Sequence, residues 1–193
     1  MKRIFDIAFS FFGLILLSPF FILISISIAI DSKGEIIFKQ IRVGKNNKDF
    51  ALFKFRTMQT NASKKGFLTV GNRDSRITKI GYYLRKYKLD ELPQLFNVLI
   101  GNMSLVGPRP EVRKFVDLYT PAQMKVLSVK PGITDYASIE YVNENEILAQ
   151  SSNPEKTYIE EIMPAKLKLN QQYIIEQGLI TDFKIILKTI ISI

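Results

Sequence analysis

The 193-residue chain contains no histidine, no cysteine and no tryptophan. Without cysteine there is no disulfide framework, no Cys/His zinc site and no thiolate nucleophile. Without histidine the commonest general base is missing, and with it every Ser-His-Asp arrangement. Chemistry here must come from carboxylates, Lys, Arg, Tyr, hydroxyls or a hard metal ion held by oxygen. Acids are scarce where bases are dense. Lys and Arg number 27 against 18 Asp and Glu, a net charge of +9. Residues 33–88 hold 15 of these bases against only Glu35, Asp49 and Asp74. This basic block directly follows the most apolar stretch, a placement suited to phosphates, an anionic membrane surface or nucleic acid.

Charge is absent from Ile7 to Ile30, a run of 24 residues. A straight helix of that length would be about 36 Å long, enough for a hydrocarbon core of about 30 Å. A single spanning helix is one reading. A signal peptide fits less well, because the run is long for an h-region and basic residues follow it. Ser18-Pro19 sits at its centre, and Pro19 both lacks an N–H and crowds the preceding turn, so a kink is expected. Each arm would then be about 18 Å long, too short to cross alone. Lys2 and Arg3 precede the run, and Lys33, Lys39 and Arg42 follow it. Such flanks prefer the cytoplasm at both ends. A re-entrant hairpin that enters, bends at Ser18-Pro19 and returns meets both conditions, with the Ser18 hydroxyl serving the broken ladder.

The remainder reads as a small, irregular α/β domain. Glu35–Gln40 and Phe50–Phe55 are β-rich and joined by polar residues, which predicts a hairpin. Residues 59–74 read as a polar loop. A helix is expected from a Ser75 cap to about Lys88, its Lys and Tyr residues suiting either a membrane interface or solvent. Another is expected from Leu92 to Leu99, stopping at Gly101. Thr120-Pro121 reads as a cap followed by a first-turn proline, and Lys130-Pro131-Gly132 as a turn. From Pro154 onward the chain reads as helices broken at Met163-Pro164 and Gly178. The fold class is therefore α+β: residues 1–32 a Pro-kinked re-entrant membrane helix, residues 33–193 one domain with a short β-hairpin and amphipathic interfacial helices.

Three segments carry candidate chemistry. Asp90-Glu91 is a carboxylate pair opening a helix, which in isolation is also ordinary N-terminal capping. Arg85 precedes it by five residues in a basic helix, and carboxylates so surrounded are expected to stay ionised. They could hold Mg²⁺ together with phosphate oxygens, or one could attack phosphorus. Lys54 and Arg56 alternate onto one strand face, where two cations could grip a diphosphate or simply meet solvent. In Gly107-Pro108-Arg109-Pro110 two prolines stiffen the chain around one guanidinium, an arrangement suited to bidentate phosphate binding.

Taken in order, Lys2-Arg3-Ile4-Phe5-Asp6, the break at Ser18-Pro19, Lys54-Phe55-Arg56-Thr57-Met58, the block Leu89 to Val98 around Asp90-Glu91, Met103 to Pro110, and Lys130-Pro131-Gly132-Ile133-Thr134 resemble the bacterial sugar transferases called monotopic phosphoglycosyl transferases. The resemblance covers nearly the whole chain and looks like the minimal catalytic form. It implies transfer of a sugar 1-phosphate from a UDP-sugar to polyprenyl (undecaprenyl) phosphate with release of UMP, the initiating step of bacterial polysaccharide, lipopolysaccharide or glycoprotein glycan synthesis. It implies Asp90 as the nucleophile that carries a covalent phosphosugar. Glu91 would position Mg²⁺ or the acceptor phosphate. Arg85 and Arg109 would bind phosphates, and Arg56 matches a position that is Lys or Arg in relatives; with Lys54, from the strand reading above, it completes the candidate phosphate-binding set. It further implies the cytoplasmic face of the inner membrane, membrane lipid and downstream glycosyltransferases as partners, and no nucleic acid.

Two departures stand out. Asp135-Tyr136-Ala137-Ser138-Ile139-Glu140-Tyr141 replaces a Gly-Trp-Ala-Gln-Val-Asn-Gly-Arg-like run, and Asn170 stands where relatives often have Asp. The competing readings are a non-catalytic, membrane-anchored basic module that binds anionic lipid or nucleic acid, and an inactive scaffold subunit. A basic module would bind with steep salt dependence and be indifferent to Asp90 and Glu91.

Overall fold

The apolar N-terminal run forms a single helix, α1 (Lys2–Asp31), in the computed structural model, which describes residues 1–60, 62, 71 and 74–192. The helix is inside out. Its buried residues are Asp6, Ser10 and Ile28, whereas Phe9, Phe12, Leu16, Phe20 and Leu23 are exposed. An apolar helix whose polar positions face protein needs an apolar surrounding for its other face. Among the described residues it is the one helix long and apolar enough to cross a membrane. Pro19 has no N–H to offer the Ile15 carbonyl. Ser18 Oγ donates to that carbonyl at 2.8 Å instead.

The rest is a mixed helical and stranded domain. β1 (Ile37–Val43) and β2 (Asp49–Phe55) pair antiparallel from Ile37 opposite Phe55 to Val43 opposite Asp49, as alternation predicts. The turn between them uses Asn46 and Asn47 at positive φ, a conformation Asn tolerates. α2 (Lys79–Lys86) begins at Thr78, whose Oγ1 accepts from Gly81 N at 3.0 Å. The expected Ser75 cap lies too early, because Ile77 still bridges Met58 and Thr78 N still bonds Thr57 O. Most of the expected 59–74 loop lies outside the described residues.

α3 (Gln94–Ile100) stops at Gly101, which takes the left-handed conformation at φ 98°. Asn97 is fully buried and ties α3 to β2: its Oδ1 accepts from Phe53 N at 2.9 Å and its Nδ2 donates to Ala51 O at 2.7 Å. The sheet edge is thus satisfied by a side chain. β3 (Ser104–Val106) and β4 (Gly132–Thr134) form a short parallel pair, so Lys130-Pro131-Gly132 leads into a strand where a turn was expected. Between them lie α4 (Arg113–Val116) and a 3-10 helix (Gln123–Ser128) at whose start Thr120 Oγ1 accepts from Gln123 N. α5 (Tyr136–Glu140), α6 (Glu144–Ala149) and α7 (Pro154–Thr157) follow. The chain does not break at Pro164. It passes from a π-helical turn (Tyr158–Ile162) into α8 (Met163–Glu176), where proline sits in the first turn and needs no N–H. The break at Gly178 precedes α9 (Leu179–Ser192).

Both ends of α1 are fastened to this domain. Lys2 Nζ donates to Val106 O at 3.0 Å and pairs with the buried Asp182 at 2.5 Å. Arg3 donates to Val98 O and Leu99 O at 2.6 and 3.0 Å, placing a cation at the C-terminus of α3. Asp6 accepts from Leu105 N at 3.0 Å and Ser104 Oγ at 3.1 Å. At the other end Asp31 accepts from Ile80 N at 3.1 Å, and Ile28 packs in a core cluster with Phe55 and Leu84.

Candidate active site

Lys88 sets the site by adopting the left-handed conformation at φ 54°. The reversal ends α2 and starts a 3-10 turn, Leu89–Glu91, so Asp90 and Glu91 lie on a turn of their own ahead of α3. That turn points the pair into a cleft of about 780 Å³. Lys54 reaches the cleft from β2, Arg85 from α2, and Arg109 from the Pro-flanked loop after β3. The structure therefore gathers Asp90, Glu91, Lys54, Arg85 and Arg109 around one space.

Glu91 organises the cations. Its Oε1 accepts from Lys54 Nζ at 3.0 Å, and Arg109 spans both its oxygens, with Nη1 3.1 Å from Oε2. The Arg109 main chain is fixed too, its N–H donating to the fully buried Asp135 at 3.2 Å. Burial alone would push Glu91 up, but Arg109 and Lys54 outweigh it and hold the carboxyl well below its usual range. Arg109 is shifted upward by Glu91 in return. A paired, buried carboxylate of this kind contributes position more than stability.

Asp90 goes the opposite way. It is 7% exposed, and among the described residues no hydrogen bond reaches its carboxylate. Burial raises its pKa, and the pull of Lys54 only partly offsets that. The two acids of the pair therefore differ: hydrogen-bonded partners decide the shift of Glu91, and desolvation that of Asp90. Asp90 thus presents a nearly buried carboxylate without a hydrogen bond to a cleft that fixed cations line.

Arg56 is placed differently from Lys54. It is buried and lines the same cleft, but its guanidinium caps the end of α1, donating to Ser32 O at 2.7 Å and Glu35 O at 2.6 Å. Ser18 and Pro19 lie in α1, outside the cleft. Sequence reasoning missed a second cluster on the cleft wall. Glu111 accepts from Arg42 at 2.9 Å and from the Tyr158 hydroxyl. These three residues come from β1, a loop and the π-helical turn, and no local pattern links them.

The Asp90 and Glu91 oxygens form a hard donor set of the sort Mg²⁺ takes when phosphates complete its shell. Asp90 has its oxygens uncommitted, and no third acidic ligand joins the two among the described residues. Glu91's oxygens already accept from Lys54 and Arg109, so Asp90 is the oxygen donor of the pair left open to a cation.

Comparison with known proteins agrees along the whole length. The model of the family described as "Bacterial sugar transferase" matches residues 1–193. The chain is 42% identical over 142 residues to the UDP-N-acetylgalactosamine-undecaprenyl-phosphate N-acetylgalactosaminephosphotransferase of Aeromonas hydrophila, covering 72% of this chain and 34% of that protein. It is 34% identical over 197 residues to the UDP-glucose:undecaprenyl-phosphate glucose-1-phosphate transferase of Escherichia coli, covering 98% of this chain and 39% of that one. The exopolysaccharide production protein PSS of Rhizobium leguminosarum is 35% identical over 199 residues, covering 100% of this chain and 94% of its own. The chain thus spans little more than a third of the first two relatives.

Proposed function

Because this chain belongs to the bacterial sugar transferases, we propose that it moves a sugar 1-phosphate from a UDP-sugar to undecaprenyl phosphate and releases UMP. The observation that carries this reading is Asp90: a buried carboxylate without a hydrogen bond, facing a cleft and surrounded by cations that Glu91 and Asp135 hold still. In the first step an Asp90 oxygen attacks the sugar-bearing phosphorus. A bond forms between them, the bond from that phosphorus to the bridging oxygen breaks, and UMP leaves with that oxygen and its electron pair. In the second, an oxygen of the acceptor phosphate attacks the same phosphorus and expels the Asp90 carboxylate. Lys54, Arg85 and Arg109 stabilise charge on the transferring phosphate. Glu91 keeps Lys54 and Arg109 aimed, and with Asp90 would hold Mg²⁺. Bound there, the ion would neutralise diphosphate charge.

The acceptor is a lipid, so the cleft must work at headgroup depth. The inside-out burial of α1, with both ends hydrogen-bonded to one domain, supports a hairpin over a spanning helix. On this reading the hairpin would bend at Ser18-Pro19, within what the structure shows as one continuous helix; the Ser18 Oγ bond to the carbonyl that proline leaves free supports that position. Residues 33–193 then rest on the cytoplasmic face of the inner membrane. The exposed Tyr82, Tyr83 and Tyr87 of the α2 region and Ile180, Phe183 and Leu187 of α9 supply further interfacial contact.

Two experiments test this. Purified protein with Mg²⁺, undecaprenyl phosphate and a panel of UDP-sugars is expected to release UMP. Anionic-vesicle binding without UMP release from any donor would return the chain to a binding module. Since the chain lacks cysteine, an added N-terminal cysteine and Lys33→Cys each give a single labelling site. Both should react with an impermeant maleimide only in inside-out vesicles, whereas labelling from opposite sides would restore a spanning helix.

A further inference from the structure

Among the described residues, three buried side-chain nitrogen or oxygen atoms have no hydrogen-bond partner: Arg42 Nε, Ser138 Oγ and Asn170 Oδ1. All three residues line the cleft that holds Asp90. Asn170 is the most telling. It is only 5% exposed, on α8, and its amide makes no hydrogen bond to any described residue. Leaving a buried amide unpaired is costly, and on a cleft wall a bound ligand is one group that can satisfy it. Ser138 lies on α5, which packs directly against α8.

These residues are connected to the reacting centre. Asp135 accepts from Arg109 N through Oδ2 and from Ser138 N through Oδ1, at 3.2 and 2.6 Å. Asn170 shares a second, small cavity with Arg109, Pro110 and Glu111. The wall thus begins at the guanidinium paired to Glu91 and continues through Ser138 to Asn170. In the reaction proposed above, Asp90 and the departing UMP take opposite ends of an in-line displacement. The hexose, one oxygen from the same phosphorus, projects sideways. We infer that the wall formed by Ser138 and Asn170 receives the hexose of the donor. On this inference, which rests on the transferase reading, Asn170 is a specificity-determining residue that hydrogen-bonds a hydroxyl or acylamino group of the sugar. A neutral amide with donors and an acceptor suits such groups, and a cationic or anionic side chain would not read them in the same way.

The test is UMP release by the full-length protein from UDP-glucose, UDP-galactose, UDP-N-acetylglucosamine and UDP-N-acetylgalactosamine, with inhibition by UMP measured alongside. Asn170→Ala is expected to lower kcat/KM for the best donor about tenfold, as loss of one to two hydrogen bonds does. It should narrow the gap to the poorer donors and leave inhibition by UMP unchanged. Ser138→Ala should act in the same direction and guards against a misfolded Asn170 variant. An equal loss on all four donors, or no loss at all, would overturn the assignment. So would UMP inhibition weakened in parallel, which would give the wall to the uridine. A wild-type protein that turns over none of the four donors fails at the earlier level, and takes this inference with it.

Discussion

Asp90→Asn is expected to reduce UMP release at least about a thousandfold, equivalent to about 4 kcal/mol of transition-state stabilisation, and at the same time to raise thermal stability. The two effects share one cause. The carboxylate is nearly sealed from solvent and accepts no hydrogen bond among the described residues, and burial outweighs the surrounding cations in setting its proton affinity. An amide of the same shape removes a buried charge, worth about 1 kcal/mol. For a chain of this size that is an increase of about 2–4 °C in Tm. The same burial predicts the acid limb of the pH profile. In the proposed mechanism only the ionised carboxylate attacks, and its pKa is raised, so kcat/KM is expected to fall on acidification at a pH above the usual aspartate range. Undiminished turnover by Asp90→Asn would remove this residue from the chemistry. Lost turnover with lowered stability would show that the side chain is a structural acid.

Gly132→Ala should be strongly destabilising. A Cβ there would sit 2.0 Å from Gly107 N and 2.4 Å from Gly107 O. Both obstacles are backbone, and neither can retreat without opening the parallel pair β3–β4 or displacing the loop that carries Arg109. The expected cost is about 3 kcal/mol or more, a drop of about 6–12 °C in Tm, with activity falling too because Arg109 is displaced. Gly178→Ala is the matched control. A Cβ there meets nothing within 4 Å, so stability should hold or rise slightly. Thermal melts of the two variants side by side distinguish a packing effect from a general intolerance of glycine loss.

These glycines also show where sequence reading stopped. The β1–β2 hairpin and the apolar α1 were legible because each depends on local periodicity or length. The β3–β4 pair was not. Its strands are three residues each, and Gly132 follows a proline, which reads locally as a turn. Gly132 enters a strand only because Gly107, 25 positions earlier, leaves room for it. The acid pair and the Pro-flanked arginine were visible as a motif, but their relationship was not. That Glu91 bridges Lys54 and Arg109, while Asp90 stays unpaired, is a product of three distant segments meeting. Strand alternation put Lys54 and Arg56 on one face without showing that the carbonyls just after α1 capture Arg56. The Arg42–Glu111–Tyr158 cluster and the unpaired Asn170 amide belong to tertiary packing alone.

The attachment of α1 at both of its ends bears on how this protein can be handled. Cutting away the first 32 residues to obtain a water-soluble version would strip Asp182 of Lys2, uncover the Val98 and Leu99 carbonyls that Arg3 caps, and leave Arg56 without Ser32 O. Those losses fall on the domain that carries the cleft. Detergent or nanodisc preparations that keep the N-terminus are therefore a requirement of the fold.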